Sequence, residues 1–189
     1  YAGNMEAYRL TVKAAYYEYS QQWCEHNRWR GANSDDKRNW KYKTYGEGQD
    51  FVLFGDWQIC FQTYIDMYNL NPADYKVARA KEVMTYACHL DENKFWWWAD
   101  ALYMVMPLMT KMYKLTGDRM FLDRMYENYL WSDSLMYDAE AQLYYRDAKY
   151  IYPKVKTASG GKSFWARGDG WVLAGLAKVL GDMPEDYEH

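Results

Sequence analysis

The chain has 189 residues and a mass of 22.7 kDa, with half its residues hydrophobic, enough for one domain with a packed core. Its 23 basic and 26 acidic side chains leave a net charge of −3, which supplies none of the basic footprint that nucleic acid requires. The apolar runs, such as residues 101–106, fall far short of the ~20 residues of a membrane span, and 21 Tyr, 10 Trp and 6 Phe are too many for a disordered chain.

Taken in chain order, the apolar period is helical almost throughout. Residues 4–28 predict a first helix, with Tyr8, Val12, Tyr16, Tyr19 and Trp23 at three-to-four spacing. A polar loop follows from Trp29 and Arg30 towards Gly46 and Gly48. Residues 51–70 predict a second helix carrying Trp57, Phe61, Ile65 and Tyr68. Asn71-Pro72 reads as cap and first position of a third helix, reaching about Leu90. A fourth covers residues 97–115 and is kinked by Pro107. Thr116-Gly117-Asp118 reads as a stop and a cap, and a fifth helix runs to Met136. Residues 143–146 and 149–152 predict two short strands before Pro153. Residues 154–162 read as a loop, and residues 171–180 as a last helix introduced by Gly168 and Gly170.

Asp-Met-Tyr-Asn-Leu at 66–70 and Lys-Met-Tyr-Lys-Leu at 111–115 are each followed by a tight turn and an aromatic residue, Tyr75 or Phe121. The repeating unit is a helical hairpin that buries its face on its neighbours. An open α-solenoid and a closed toroid both use such units; the long loops and the strand insertion favour the toroid. The expected helix content is over ~60%. No linker divides the chain, so residues 1–189 are expected to form a single domain.

Three cysteines, Cys24, Cys60 and Cys88, lie far apart without a C-x-x-C pair. That predicts free thiols and no zinc site. A phosphate-binding glycine loop, H-E-x-x-H and G-x-S-x-G are all absent from the sequence.

Two segments carry the candidate chemistry. In Phe95-Trp-Trp-Trp-Ala-Asp100, three successive tryptophans cannot all face one side of a helix, so some face a cavity or solvent. Asp100 then falls in a first turn, where the helix dipole favours its charge and the indoles oppose it. It is either a tuned general acid/base or a carboxylate that only stabilises the helix. In Phe164-Trp165-Ala-Arg167-Gly-Asp169-Gly-Trp171, an arginine and backbone N–H groups converge at a helix start. That suits an acidic sugar, or is merely a start capped by Asp169. Asp56 is a second site carboxylate or a cap. His89 is a proton carrier or satisfies the last carbonyls of its helix.

The strings Trp98-Ala-Asp-Ala-Leu-Tyr-Met, Lys114-Leu-Thr-Gly-Asp118 and Trp165-Ala-Arg-Gly-Asp-Gly-Trp171 together resemble glycoside hydrolase family 105, the unsaturated rhamnogalacturonyl hydrolases. These are related to the unsaturated glucuronyl hydrolases of family 88. The resemblance runs from about Asp56 to Pro184. It implies an all-α fold, part of an (α/α)6 barrel with a small β-hairpin insertion, and a hydrolase that removes a 4,5-unsaturated uronic acid from lyase-generated oligosaccharides. It implies no metal or organic cofactor, and an acidic oligosaccharide as partner. Asp100 resembles the family's general acid/base and Asp56 its second site carboxylate. Trp98, Trp165, Arg167 and Trp171 resemble pocket positions. Arg146 stands where the family carries a pocket histidine, Asp169 where it carries asparagine, and His89 is a further candidate for substrate binding.

Family members run to roughly twice this length, so a central fragment is expected, with self-association where apolar faces are left bare. The chain starts at Tyr1 without an initiator Met or a signal-like stretch. A missing N-terminus is therefore expected, and the compartment is left between cytoplasm and periplasm. A non-catalytic carbohydrate-binding domain and a helical-repeat scaffold are the alternatives.

Overall fold

The computed structural model describes residues 1–43 and 48–188; Gly46 of the expected polar loop lies outside them. Helix accounts for 57% of the described residues, short of the ~60% expected because four of the anticipated long helices are interrupted or begin late. The chain forms two compact units, one of residues 1–90 with 115–117 and one of residues 91–114 with 118–189.

In the first unit the expected opening helix is two helices, α1 (Ala2–Thr11) and α2 (Ala14–His26). Val12 ends α1 in the left-handed region at φ 55° and Lys13 is extended. The chain doubles back, so α2 packs on α1 and buries Met5 and Cys24. Val12, placed by its spacing on the inner face, is 74% exposed instead. Of the expected second helix, 51–54 form a turn that buries Val52, Leu53 and Phe54. The helix itself is split at Ile59 into α3 (Gly55–Gln58) and α4 (Cys60–Leu70).

Asn71 is extended and still donates its N–H to Met67 O, so Asn71-Pro72 closes α4 rather than opening the next helix. Helix α5 (Tyr75–Cys88) starts later. Lys76 Nζ spans that turn to Asn71 O at 2.7 Å. Phe61, Tyr64, Ile65, Val77, Ala80 and Met84 make the core between α4 and α5. Buried Arg79 ties the preceding loop down through Ala32 O and Ser34 O, at 3.0 and 2.7 Å.

In the second unit the expected fourth helix is broken at Val105 into α6 (Ala101–Met104) and α7 (Met106–Thr116). Pro107 is the cause. It has no N–H for the carbonyl one turn earlier, and it sits in the first turn of α7, where that loss is tolerated. Gly117 adopts φ 75° after α7, a left-handed value that glycine takes without a Cβ penalty. Asp118 then accepts the N–H of Met120 at 2.9 Å, and α8 (Met120–Met136) follows as read. Both sequence repeats are thus helix end, tight turn and helix start, although Phe121 is buried and Tyr75 exposed.

The strands differ from expectation. The hairpin pairs β1 (Tyr137–Asp138) with β2 (Leu143–Tyr144), in register Tyr137↔Tyr144 and Asp138↔Leu143. Residues 149–152 form no strand. Asp147 instead bridges back to Trp98. Helix α9 (Ala166–Asp182) begins earlier than expected, so Gly168 and Gly170 lie inside it. Gly175 lets α9 press on α6: a Cβ there would stand 2.2 Å from Leu102 O. Among the described residues no helix is long and apolar enough to cross a membrane.

Candidate active site

Six of the eight predicted site residues lie in the second unit: Trp98, Asp100, Arg146, Trp165, Arg167 and Trp171. Asp56 and His89 lie in the first.

Of the aromatic run, Phe95, Trp96 and Trp98 are buried and Trp97 is half-buried, so Trp97 is the one left at the surface. Trp97 and Trp98 pack with ring centroids 4.7 Å apart. Residues 97–100 are not helical, although the fourth helix had been expected to start at Trp97. Trp98 pairs with Asp147, and Ala99 N–H donates to Arg146 O at 2.9 Å. This fastens the stretch before Asp100 to the stretch around Arg146. Asp100 is the residue that precedes α6, and its carbonyl accepts the N–H groups of Tyr103 and Met104, each at 3.0 Å.

Asp100 is half-buried, and burial pushes its carboxyl above the usual carboxylate range. Its own N–H and the charges of Arg146 and Arg167 pull the other way without prevailing. The two arginines come from different elements, and both act on this one carboxyl.

Arg146 is held from behind. Asp147, 1% exposed, pairs with its Nη1 at 3.1 Å and accepts the N–H of Lys149 at 2.8 Å. The guanidinium lies 5.5 Å from the Tyr150 ring centroid. Asp147 was not anticipated from sequence. Its only signal was adjacency to Arg146, and neighbours in an extended stretch ordinarily point to opposite faces.

Trp165 precedes α9, and its indole lies against the first turn of that helix. A Cβ on Gly168 would come within 2.5 Å of Trp165 Cε3, so the glycine is required for the ring's position. The Arg167 guanidinium carbon stands 4.6 Å from the same ring's centroid. Arg167 is exposed and makes no hydrogen bond or ion pair to another described residue. A guanidinium poised on an aromatic plate and otherwise uncommitted can receive a carboxylate with two parallel bonds. Asp169 is no cap: it lies in the helix and accepts the N–H of Tyr144 at 2.7 Å, tying β2 to α9. Trp171 packs on Tyr103, with centroids 4.7 Å apart, and Lys178 Nζ is 5.5 Å from the Tyr103 ring.

In the first unit, Asp56 is an exposed residue of the short helix α3. His89 ends α5, exposed, with Nδ1 2.8 Å from Thr85 O, the carbonyl-satisfying arrangement. Among the described residues no group of three or more His, Cys, Asp or Glu could hold a metal ion.

The candidate site therefore brings together a half-buried carboxyl, two arginines and a set of indoles, a combination suited to an acidic sugar. Residues 1–189 match the family model described as Glycosyl Hydrolase Family 88, and the chain belongs to that family. A curated relative, the unsaturated 3S-rhamnoglycuronyl hydrolase of Formosa agariphila, is 40% identical over 98 residues, 50% of this chain and 26% of the relative.

Among solved structures, one described as a polysaccharide lyase is 61% identical with a TM-score of 0.97, covering 99% of this chain and 52% of its own. A family 88 glycosyl hydrolase from Bacteroides vulgatus is 50% identical with a TM-score of 0.96, covering 98% and 53%. A family 105 glycoside hydrolase from C. acetobutylicum is 17% identical with a TM-score of 0.70, covering 99% and 53%, and shares the fold. The chain thus spans about a quarter of the curated relative and about half of the solved ones. The fold class is all-α, that of the (α/α)6 barrel these neighbours carry, with β1–β2 as the small hairpin.

Proposed function

We propose that this chain carries the acid group of a hydrolase that removes a 4,5-unsaturated uronic acid from the end of an oligosaccharide. The observation that carries the reading is Asp100: a half-buried carboxyl, held towards its protonated form by burial, with two arginines acting on it. A vinyl ether needs a proton donor at C4. Asp100 gives that proton, and positive charge develops at C5. Water adds at C5 and returns a proton to the Asp100 carboxylate. The hemiketal then opens by breaking the bond from C5 to the ring oxygen, leaving a ketone at C5. The hemiacetal left at C1 expels the neighbouring sugar.

Arg167 offers its two parallel N–H donors to the uronate, with Arg146 as the second cation. Trp98, Trp165 and Trp171 supply the apolar wall. Asp56 as a second carboxylate and His89 as a substrate contact rest on the resemblance alone.

Asp100→Asn tests the assignment. General acid/base groups contribute about 10²–10⁴-fold, so turnover followed by loss of the conjugated double-bond absorbance should fall at least that far while binding persists. Unchanged turnover would remove Asp100 from the mechanism.

The 61%-identical structure described as a polysaccharide lyase favours a second reading. A lyase takes a proton from C5 and creates the double bond that the hydrolase consumes. The sign of the absorbance change on intact and on lyase-treated polysaccharide separates the two. Binding without either change would leave the carbohydrate-binding alternative.

A further inference from the structure

Asp169 is the acidic residue of the Trp165–Trp171 string, and the reaction proposed above gives it no chemical task. It stands between Arg167 and Trp171 in the first turn of α9. Its own N–H donates to Trp165 O at 3.1 Å, closing the turn against which the Trp165 ring lies. Its side chain reaches out of the helix, and Oδ1 accepts the N–H of Tyr144 at 2.7 Å. An ionised acceptor makes this stronger than a bond between two neutral groups.

Tyr144 is itself buried and held from other sides. Its O–H donates to Asp133 of α8, and its ring packs on that of Tyr137 with centroids 5.1 Å apart. The next N–H, of Tyr145, donates to Met136 O at 2.9 Å. One residue further, Arg146 O accepts the N–H of Ala99 at 2.9 Å, and Ala99 directly precedes Asp100. A line of hydrogen bonds and short backbone therefore runs from the turn that bears Arg167, through residues 144–146, to the stretch that bears Asp100. Two residues of chain span at most ~7 Å, so a displacement of Tyr144 has little slack in which to die out before Arg146.

We propose that Asp169 is a positioning residue, whose bond to the Tyr144 N–H sets Arg167 and Arg146 in register with Asp100. The proposal rests on the hydrolase reading above for what that register serves. The role asks for an oxygen acceptor at the right reach from the helix and makes no use of the negative charge. Length and charge can therefore be separated by substitution.

The test compares Asp169→Ala, Asp169→Glu and Asp169→Asn on an unsaturated uronyl disaccharide, with melting temperatures. Asp169→Ala removes the acceptor. Asp169→Glu keeps the acceptor and the charge but is one methylene too long. A displacement of about 1 Å at a reacting centre costs on the order of 10²-fold, so both should lose about 10- to 100-fold, mostly in kcat, because the groups that grip the substrate are still present. Asp169→Asn has the right reach and no charge, and should restore kcat. A merely structural residue would lower the melting temperature and leave kcat per folded molecule intact. Native kcat in the Ala and Glu variants, or an Asn variant as slow as Ala, overturns the proposal; if Asp169→Ala fails to fold, the Glu variant decides. The backbone amide resonance of Ala99 reads the same line without turnover. It should move together with that of Tyr144 in the Ala or Glu variant, and far less in Asp169→Asn. A Tyr144 resonance that moves while Ala99 stays in place overturns the positioning role. If the native protein turns over no such substrate, the hydrolase reading fails, and the Ala99 resonance still decides whether Asp169 governs the stretch before Asp100.

Discussion

Arg146 and Arg167 both favour the charged form of Asp100, and burial outweighs them. The sign of each substitution follows. As a proton donor Asp100 works in its protonated form, so activity falls as pH rises through its raised pKa. Arg146→Gln removes a charge that lowers that pKa, so the alkaline limb of the kcat/KM profile should move to higher pH, whatever happens to its height. A limb that stays put would mean another group titrates there. Arg167 is expected to act on the substrate. Losing a charged hydrogen-bond partner costs about 2–4 kcal/mol, roughly 30- to 1000-fold in kcat/KM. Arg167→Ala should show that loss with an unchanged melting temperature, and Arg167→Lys should recover only part of it because the planar fork is gone. A parallel fall in activity and stability would make Arg167 a structural part of the α9 entrance.

The hairpin β1–β2 and the segment after it are held by one polar clasp. Lys162 bonds Asp138 at 2.8 Å, Tyr145 O–H donates to the same carboxylate at 2.8 Å, and Ala141 N–H donates to it at 2.9 Å. The Lys162 bond, with these others, holds Asp138 down to about 2, against ~3.9 for a free aspartate. A depressed carboxylate adds stability that is present above the unfolded value and lost as pH falls through the folded one. Melting temperatures taken from pH 4 down to about 2 should therefore fall in the native protein, and less steeply in Lys162→Met. Equal slopes would place the acid-sensitive contact elsewhere.

At the scale of the whole molecule, α9 carries the largest apolar exposure of any described helix that also borders the site. Leu173 and Leu180, two turns apart on one face, are 71% and 75% exposed, while Val172 and Val179 on the other face are buried. Bare leucines at that spacing associate with a like surface when nothing else covers them. The chain should show concentration-dependent self-association by sedimentation velocity, and Leu173→Glu with Leu180→Glu should abolish it without loss of helix content. Association that persists in that variant would exclude this face.

What could be read along the chain were features set by near neighbours. The Gly117-Asp118 stop and cap, the break at Pro107, the tryptophan run before Asp100 and the Trp165–Trp171 string all act within a turn or two, and spacing reports them. The late start of α5, the doubling back at Val12 and the shift of the hairpin to 137–144 could not be read that way. Val12 turns left-handed, Asn71 is extended, and Tyr144 of β2 is tied to Asp169 of α9, features that apolar spacing does not report. The same holds at the site. Asp100 was conspicuous by its neighbours, but its acidity depends on burial first and then on Arg146 and Arg167, the orientation of Arg146 depends on buried Asp147, and Trp165 keeps its place because Gly168 has no Cβ. Burial and electrostatic fields sum over whatever the folded chain brings near, and sequence order does not carry that sum.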